Sequence, residues 1–127
     1  MREATDLLRQ IHPGWIKSDG TVASIGFWPF PKDAGLLSVD DGDRITPEAS
    51  WRRFVVKLGC SSGGVWSFTV REAASLGLPA KEDPLPENAQ HIVVDFGAFP
   101  EKQQKAKAKA LSNLANGRGS VFRPSLA

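Results

Sequence analysis

The stretch His91-Ile92-Val93-Val94-Asp95-Phe96 is the plainest structural signal in the chain. Three β-branched residues in a row, with an aromatic residue close behind, favour a β-strand over 92–96. The run is almost continuously apolar, which is typical of a strand covered on both faces. The sequence therefore predicts an interior strand here, and the other elements are expected to pack around it.

Helices are predicted on both sides of this strand. Residues 100–115 follow it and are rich in lysine and alanine, which favour helix. Before it, Thr46-Pro47-Glu48 combines an N-cap hydroxyl with proline at the first helical position. Thr69-Val70-Arg71-Glu72 matches a capping box. These two signals predict one helix that ends at Gly59 and a shorter one that ends at Gly77.

The sequence signals for the remaining helices and strands are weaker. A helix over 2–11 is predicted because Ala4, Leu7, Leu8 and Ile11 share one helical face. Short strands are predicted, in chain order, over 22–28, 36–39, 65–68 and 120–123. The resulting order, α-β-β-α-β-α-β-α-β, predicts a single α+β domain over residues 1–127, with a mixed sheet of about four to five strands and helices packed on it.

Composition bounds the class of protein. The chain has 127 residues, 41% hydrophobic and 24% charged, which is typical of one globular domain and excludes a disordered chain. No apolar run reaches the length of a membrane span, and the first residues lack the pattern of a signal peptide. We therefore expect a cytoplasmic protein without a membrane partner. Cys60 is the single cysteine, so no intramolecular disulfide forms.

The basic residues are concentrated at the C-terminal end. Residues 1–99 carry 10 Lys/Arg against 13 Asp/Glu, whereas residues 100–127 carry 6 against 1. At helical spacing Lys102, Lys105 and Lys109 share one face, and Arg118 and Arg123 extend it. The opposite, buried side is predicted to consist of Ala106, Ala110, Leu111 and Leu114. The basic face is either a surface for an acidic partner, nucleic acid or protein, or a merely solvated surface.

Lys107 does not fit this division of the helix. It projects close to the predicted apolar side. Its stem therefore either lies along the edge of the core or carries the ammonium group into a cleft.

The two histidines are the candidate catalytic residues. His12 lies beside Pro13 and Trp15 at the end of a predicted helix, with Arg9 one turn earlier, and His91 lies where the 92–96 strand begins. If they converge, they form a general base and a general acid that need no metal, with Arg9 or Lys107 binding a phosphate. The alternative is a capping histidine and an unrelated surface histidine.

Other chemistry is poorly supported by the sequence. The chain contains no HExxH, no cysteine pair, no complete EF-hand loop, no GxSxG and no phosphate-binding glycine loop. We therefore predict neither a metal nor a cofactor.

Trp28 is the tryptophan most expected to be partly exposed. It lies in Phe27-Trp28-Pro29-Phe30-Pro31, where two prolines prevent a regular element. Such a loop suits a protein contact or base stacking, whereas packing at the edge of the core is the structural alternative.

Part of the chain resembles an uncharacterised group of small bacterial proteins. The shared pattern covers residues 9–94 and consists of Arg9-x-Ile11-His12-Pro13, Asp19-Gly20 with Ser24 and Phe27, Leu37-Ser38-Val39, and Asp83-Pro84-Leu85-Pro86-Glu87-Asn88 with His91. The resemblance implies no activity. It draws attention to His12, Ser24 and His91 as candidates for a shared site, and it leaves the basic helix outside.

Two functional hypotheses follow from the sequence. The first is a small binding module for an acidic partner, as found in regulatory, toxin–antitoxin or phage-defence systems. Its contact residues would be Lys102, Lys105, Lys109, Arg118, Arg123 and Trp28. The alternative is a metal-independent enzyme that acts on RNA or a nucleotide through His12 and His91, with Arg9 beside them.

Overall fold

The predicted interior strand is present as β5 (His91–Asp95), and it pairs with a strand on each side. The computed structural model describes residues 1–124. Its other elements are β1 (Asp6–Ile11), β2 (Leu36–Asp41), α1 (Pro47–Arg52), β3 (Gly64–Thr69), α2 (Val70–Ser75), β4 (Ala80–Glu82) and α3 (Glu101–Arg118). The strand order is β3-β1-β2-β5-β4. The α+β class is confirmed, and the sheet is antiparallel throughout residues 1–124 rather than mixed.

One face of the sheet carries the core. Register places alternate residues of four strands on this face: Leu7, Ile11, Leu37, Val39, Trp66, Phe68, Ile92 and Val94. Helix α3 packs against this core through Ala108, Leu111 and Ala115. Burial of these side chains is the main stabilising term of the fold.

The buried side of α3 differs from the prediction. Ala108, Leu111, Ser112 and Ala115 are buried, whereas Leu114 is 37% exposed. Alternating alanines at 106, 108 and 110 give almost no hydrophobic contrast, so the sequence does not define the rotation of the helix. The rotation is defined by the side-chain amide of Asn116, which accepts from the Val22 N–H at 2.8 Å and donates to the Val22 carbonyl at 3.0 Å.

The helix predicted over 2–11 is wrong, because Asp6–Ile11 forms β1. Leu7 and Ile11 face the core, while Leu8, only 2% exposed, faces the opposite side of the sheet. Because both faces of this strand are covered, apolar residues occupy positions 7, 8 and 11. The same spacing is found on one face of a helix. Pairing with β2 on one side and β3 on the other makes this segment a strand despite its helical apolar spacing.

Two other predicted strands are also replaced. The 22–28 segment contains a 3₁₀ turn, Ser24–Phe27, that packs under α3. Of the predicted strand over 120–123, only an isolated bridge between Val65 and Phe122 forms. Both capping signals are confirmed: Thr46 accepts from the Ala49 N–H, and Thr69 and Glu72 form the full capping box.

The second face of the sheet carries a polar cluster beside the buried Leu8, Val65 and Val93, and this polar part lies under α1. Asp40 is buried there and accepts from the Ser50 hydroxyl at 2.6 Å and from the Asn88 amide at 2.7 Å. The Gln10 amide donates to Ser50 at 2.8 Å. After Arg52 the helix widens into a π-helical turn, Arg53–Lys57, which is a feature often found at functional sites. This covered polar face forms the floor of the candidate site.

The N-terminal segment is held by Asp43, and we predict that this carboxylate titrates unusually low. Hydrogen bonds from Arg2 and from the buried Thr5 hydroxyl lower the pKa of Asp43 to about 2. Because the folded pKa lies below the ordinary 3.8, the associated stability is present above pH 3.8 and is lost as the pH falls through about 2.

Carbon-detected NMR of the Asp43 carboxyl group checks this. Arg2→Ala should move the midpoint up towards 3.8, while Arg71→Ala, which removes an exposed partner of Glu3, should leave it unchanged. A wild-type midpoint near 3.8 would contradict the prediction.

Candidate functional site

A cavity of about 310 Å³ is lined by residues of β1, β2 and the π-helical turn. Its walls include three residues singled out from the sequence, namely Arg9, His12 and His91. The other lining residues are Leu8, Gln10, Trp15, Ser38, Val39, Asp40, Arg53, Phe54 and Ser61. The volume is at the lower end of the range for small-molecule sites.

The ring of His12 is held in one tautomer by its own turn. Its Nδ1 accepts from the Gly14 N–H at 2.9 Å, which caps the 3₁₀ turn Pro13–Trp15. In the neutral ring the proton is therefore on Nε2, and this N–H is a donor for a ligand. The ring packs beside Trp15, with the centroids 5.6 Å apart.

His91 is held in the opposite tautomer. Its Nδ1 is 2.9 Å from the carbonyl oxygen of Asp83 and 3.1 Å from the carboxylate of the same residue. Both partners are acceptors, so in the neutral ring Nδ1 carries the proton and Nε2 keeps a lone pair. A histidine oriented by a carboxylate, with a free Nε2, is the arrangement of a general base.

The strand register sets the separation of the two histidines. His91 lies opposite Asp40, which lies opposite Leu8, whereas His12 comes four residues after Leu8. Two strand spacings across and four residues along place the two Cα atoms about 16 Å apart. Both histidines line the cavity, and this separation places them apart within it.

Arg9 is largely committed to the fold. Its guanidinium donates to the carbonyl groups of Gly26 at 2.8 Å and Ser38 at 3.0 Å. Burial lowers the pKa of Arg9 to about 10, so the group is still charged at neutral pH. It also lies over the Trp15 ring at 6.0 Å. Its main contribution to the cavity is to fix the wall that Trp15 forms.

Arg53 is the cavity residue that sequence reasoning missed. Its side chain is only 17% exposed, and its nearest acid is Asp40, with 3.7 Å between Nη2 and Oδ2. Its buried Nε has no hydrogen-bond partner among residues 1–124. In the sequence, Arg52-Arg53 looks like an ordinary helical surface pair. Only the π-helical turn distinguishes the partly buried arginine from its exposed neighbour.

Most of the predicted basic surface has intramolecular partners. Arg118 donates to the Ser67 carbonyl and pairs with Glu72, and Arg123 donates to the Gly63 carbonyl. The Lys107 ammonium donates to the Leu76 carbonyl at 2.6 Å, so its stem lies along the core edge and not in a cleft. Lys105 pairs with Glu101.

Trp28 lies beside the basic helix. Lys105 is 4.8 Å from its ring centroid, and both residues line a groove of about 430 Å³. Pro29, Phe30 and Pro31 complete much of this apolar wall. Trp28 is thus half-buried at the core edge and also faces a groove.

Other candidate features are not part of either cavity. Ser24 lies in the 3₁₀ turn under α3 and lines neither space. Within residues 1–124, no group of three or more His, Cys, Asp or Glu side chains is placed to hold a metal ion. No helix in the same part of the chain is long and apolar enough to cross a membrane.

Comparison with known proteins identifies no relative: no family model, no curated protein and no solved structure matches this chain. The resemblance to the group of small bacterial proteins stays a prediction. The function therefore has to be argued from the geometry of the cavity.

Proposed function

We propose that this protein is a metal-independent enzyme that acts on RNA or a nucleotide bound in the 310 Å³ cavity. The observation that carries the proposal is the opposite tautomers of the two histidines that line one cavity. His91 presents a lone pair and is oriented by Asp83, and His12 presents an N–H. A cytoplasmic location is part of this proposal.

His91 is the proton-transfer residue in this scheme. Its Nε2 takes the proton from an attacking hydroxyl group, of ribose or of water, as the new O–P bond forms. The protonated ring then returns that proton to the leaving oxygen as the old P–O bond breaks. The separation of about 16 Å between the Cα atoms assigns His12 a different role, that of a hydrogen-bond donor to the far end of the ligand.

Turnover of single-stranded RNA oligonucleotides and nucleotides, in the presence of a chelator, tests the proposal. We expect His91→Ala to lower kcat by about 10²- to 10⁴-fold, because general-base catalysis contributes that much. We expect His12→Ala mainly to raise KM, because its donor contact is made in the ground state as well as in the transition state.

Circular dichroism and thermal unfolding of both variants control for loss of fold. Identical purification of the wild type and the variants controls for contaminating nuclease. Undiminished turnover by folded His91→Ala would overturn the proposal, and so would the absence of turnover by the wild type across the RNA and nucleotide panel.

The basic helix supports a second candidate function, contact with an acidic partner such as nucleic acid. Lys102 and Lys109 are exposed and make no ion pair within residues 1–124, and Lys105 and Trp28 line the adjacent groove. In the same panel, Lys102→Glu with Lys109→Glu should then weaken RNA binding at low salt and make the affinity less dependent on salt concentration, without changing kcat. Binding unaffected by this double reversal would remove the second candidate.

A further inference from the structure

The Arg53 guanidinium has donors that the fold does not use. The side chain is 17% exposed, so it has lost most of its water, and its buried Nε has no partner in the described chain. A buried charged donor left unsatisfied is costly, and such groups in a cavity are expected to meet an anionic ligand. The fork of a guanidinium matches two oxygens of a phosphate.

Asp40 does not fully satisfy Arg53. The Nη2–Oδ2 distance of 3.7 Å is too long for a hydrogen bond. Both carboxylate oxygens of Asp40 already accept short hydrogen bonds, from Ser50 at 2.6 Å and Asn88 at 2.7 Å. Asp40 thus serves as a nearby counter-charge that keeps Arg53 in place without a hydrogen bond to it, and Arg53 lines the cavity.

The register places this arginine at one end of the cavity. Arg53 approaches Asp40, and Asp40 is the direct strand partner of His91. The other end is formed by His12 and Trp15, whose rings are 5.6 Å apart. One end of the cavity therefore carries Arg53, His91 and the carboxylate of Asp40, and the other end is aromatic with an N–H donor.

We infer that the cavity binds a nucleotide in one orientation, with its phosphate between Arg53 and His91 and its base against Trp15 and His12. This inference rests on the proposed function, since it identifies the substrate class of that same site. A phosphate at Arg53 lies next to the free Nε2 of His91, where proton transfer is needed. A planar base at the far end meets a ring that stacks and a ring N–H that donates.

NMR of the imidazole, guanidinium and indole nitrogens tests the orientation without measuring turnover. Inorganic phosphate should shift the signals of His91 and of Arg53 Nε and leave His12 and the Trp15 indole unchanged. Uridine 5′-monophosphate should shift the signals of all four side chains. Phosphate that shifts His12 instead of His91, or that shifts neither, would overturn the inference.

Two neighbouring arginines supply a matched pair of variants. Arg53→Met should weaken binding of inorganic phosphate and of uridine 5′-monophosphate by about 10- to 100-fold, the value of a charged hydrogen bond. Arg52→Met, which removes a 65% exposed arginine whose ion pair within residues 1–124 is with Glu48, should leave both affinities unchanged. If Arg53→Met does not fold, Arg53→Lys keeps the charge without the fork and should still weaken both ligands.

The outcomes separate this inference from the proposed function. Nucleotide binding in the stated orientation without any turnover would keep the orientation and overturn the enzyme. Turnover that depends on His91, with equal phosphate affinity in the Arg53 and Arg52 variants, would keep the enzyme and overturn the orientation.

Discussion

Replacing Phe68 with alanine is expected to lower the free energy of unfolding by about 3 to 5 kcal/mol. Phe68 is fully buried in β3, opposite Leu7 of β1. Its ring meets the Phe27 ring edge-on, with the centroids 6.0 Å apart, and Phe27 belongs to the 3₁₀ turn under α3. The substitution removes contacts to the sheet and to this turn together, and close-packed neighbours relax only partly into the space.

Urea unfolding followed by circular dichroism measures this loss. Val56→Ala is the control, because Val56 lies on the π-helical turn with 70% of its surface exposed and should change stability by less than about 0.5 kcal/mol. A loss below about 1 kcal/mol for Phe68→Ala would contradict the packing of the core described above.

Features encoded by a few adjacent residues could be predicted from the sequence. The cap at Thr46 and the capping box at Thr69 depend on hydrogen bonds within four residues, and both form as expected. The strand at 92–96 is apolar on both faces, and it lies between two neighbouring strands. Local chemistry is sufficient where the partners are local.

The errors arise where distant partners decide the structure. Residues 2–11 have the apolar spacing of a helix, but the partners that define β1 are β2 and β3, 32 to 63 residues away. The rotation of α3 depends on Asn116 meeting Val22, a contact across 94 residues. Neither pairing can be recognised from the spacing of apolar residues along the sequence.

The site could be predicted only in part for the same reason. His12, His91 and Arg9 were identifiable by residue type, and all three line the cavity. The chemistry of each comes from a partner that the sequence does not indicate, such as Asp83 at Nδ1 of His91. Arg53 has no signal at all, because a π-helical turn is a small change of backbone that a sequence pattern does not resolve.

Asp40→Ala is the second substitution with a large expected effect, about 3 to 5 kcal/mol in the free energy of unfolding. Asp40 is buried and holds three elements to the polar face: α1 through Ser50, the 83–90 loop through Asn88, and the π-helical turn through Arg53. Alanine would leave a buried hydroxyl and a buried amide without their acceptor, and a largely buried guanidinium without its counter-charge.

The measurement that identifies the cause is a double-mutant cycle with Arg53→Met, again by urea unfolding. If Asp40 is the counter-charge of Arg53, its removal should cost at least about 1 kcal/mol less in the Arg53→Met background than in the wild type. Asp40→Asn loses the charge and has one acceptor oxygen, which can still accept from Asn88, while the Ser50 hydroxyl would have to turn and accept from the new amide. Its loss of stability should fall between the wild type and Asp40→Ala. Additive losses would mean that the 3.7 Å approach contributes nothing and that hydrogen bonding alone holds the helix over the cavity. A coupled loss would mean that the same carboxylate maintains the fold and keeps a charged guanidinium in the cavity, where an anionic ligand can reach it.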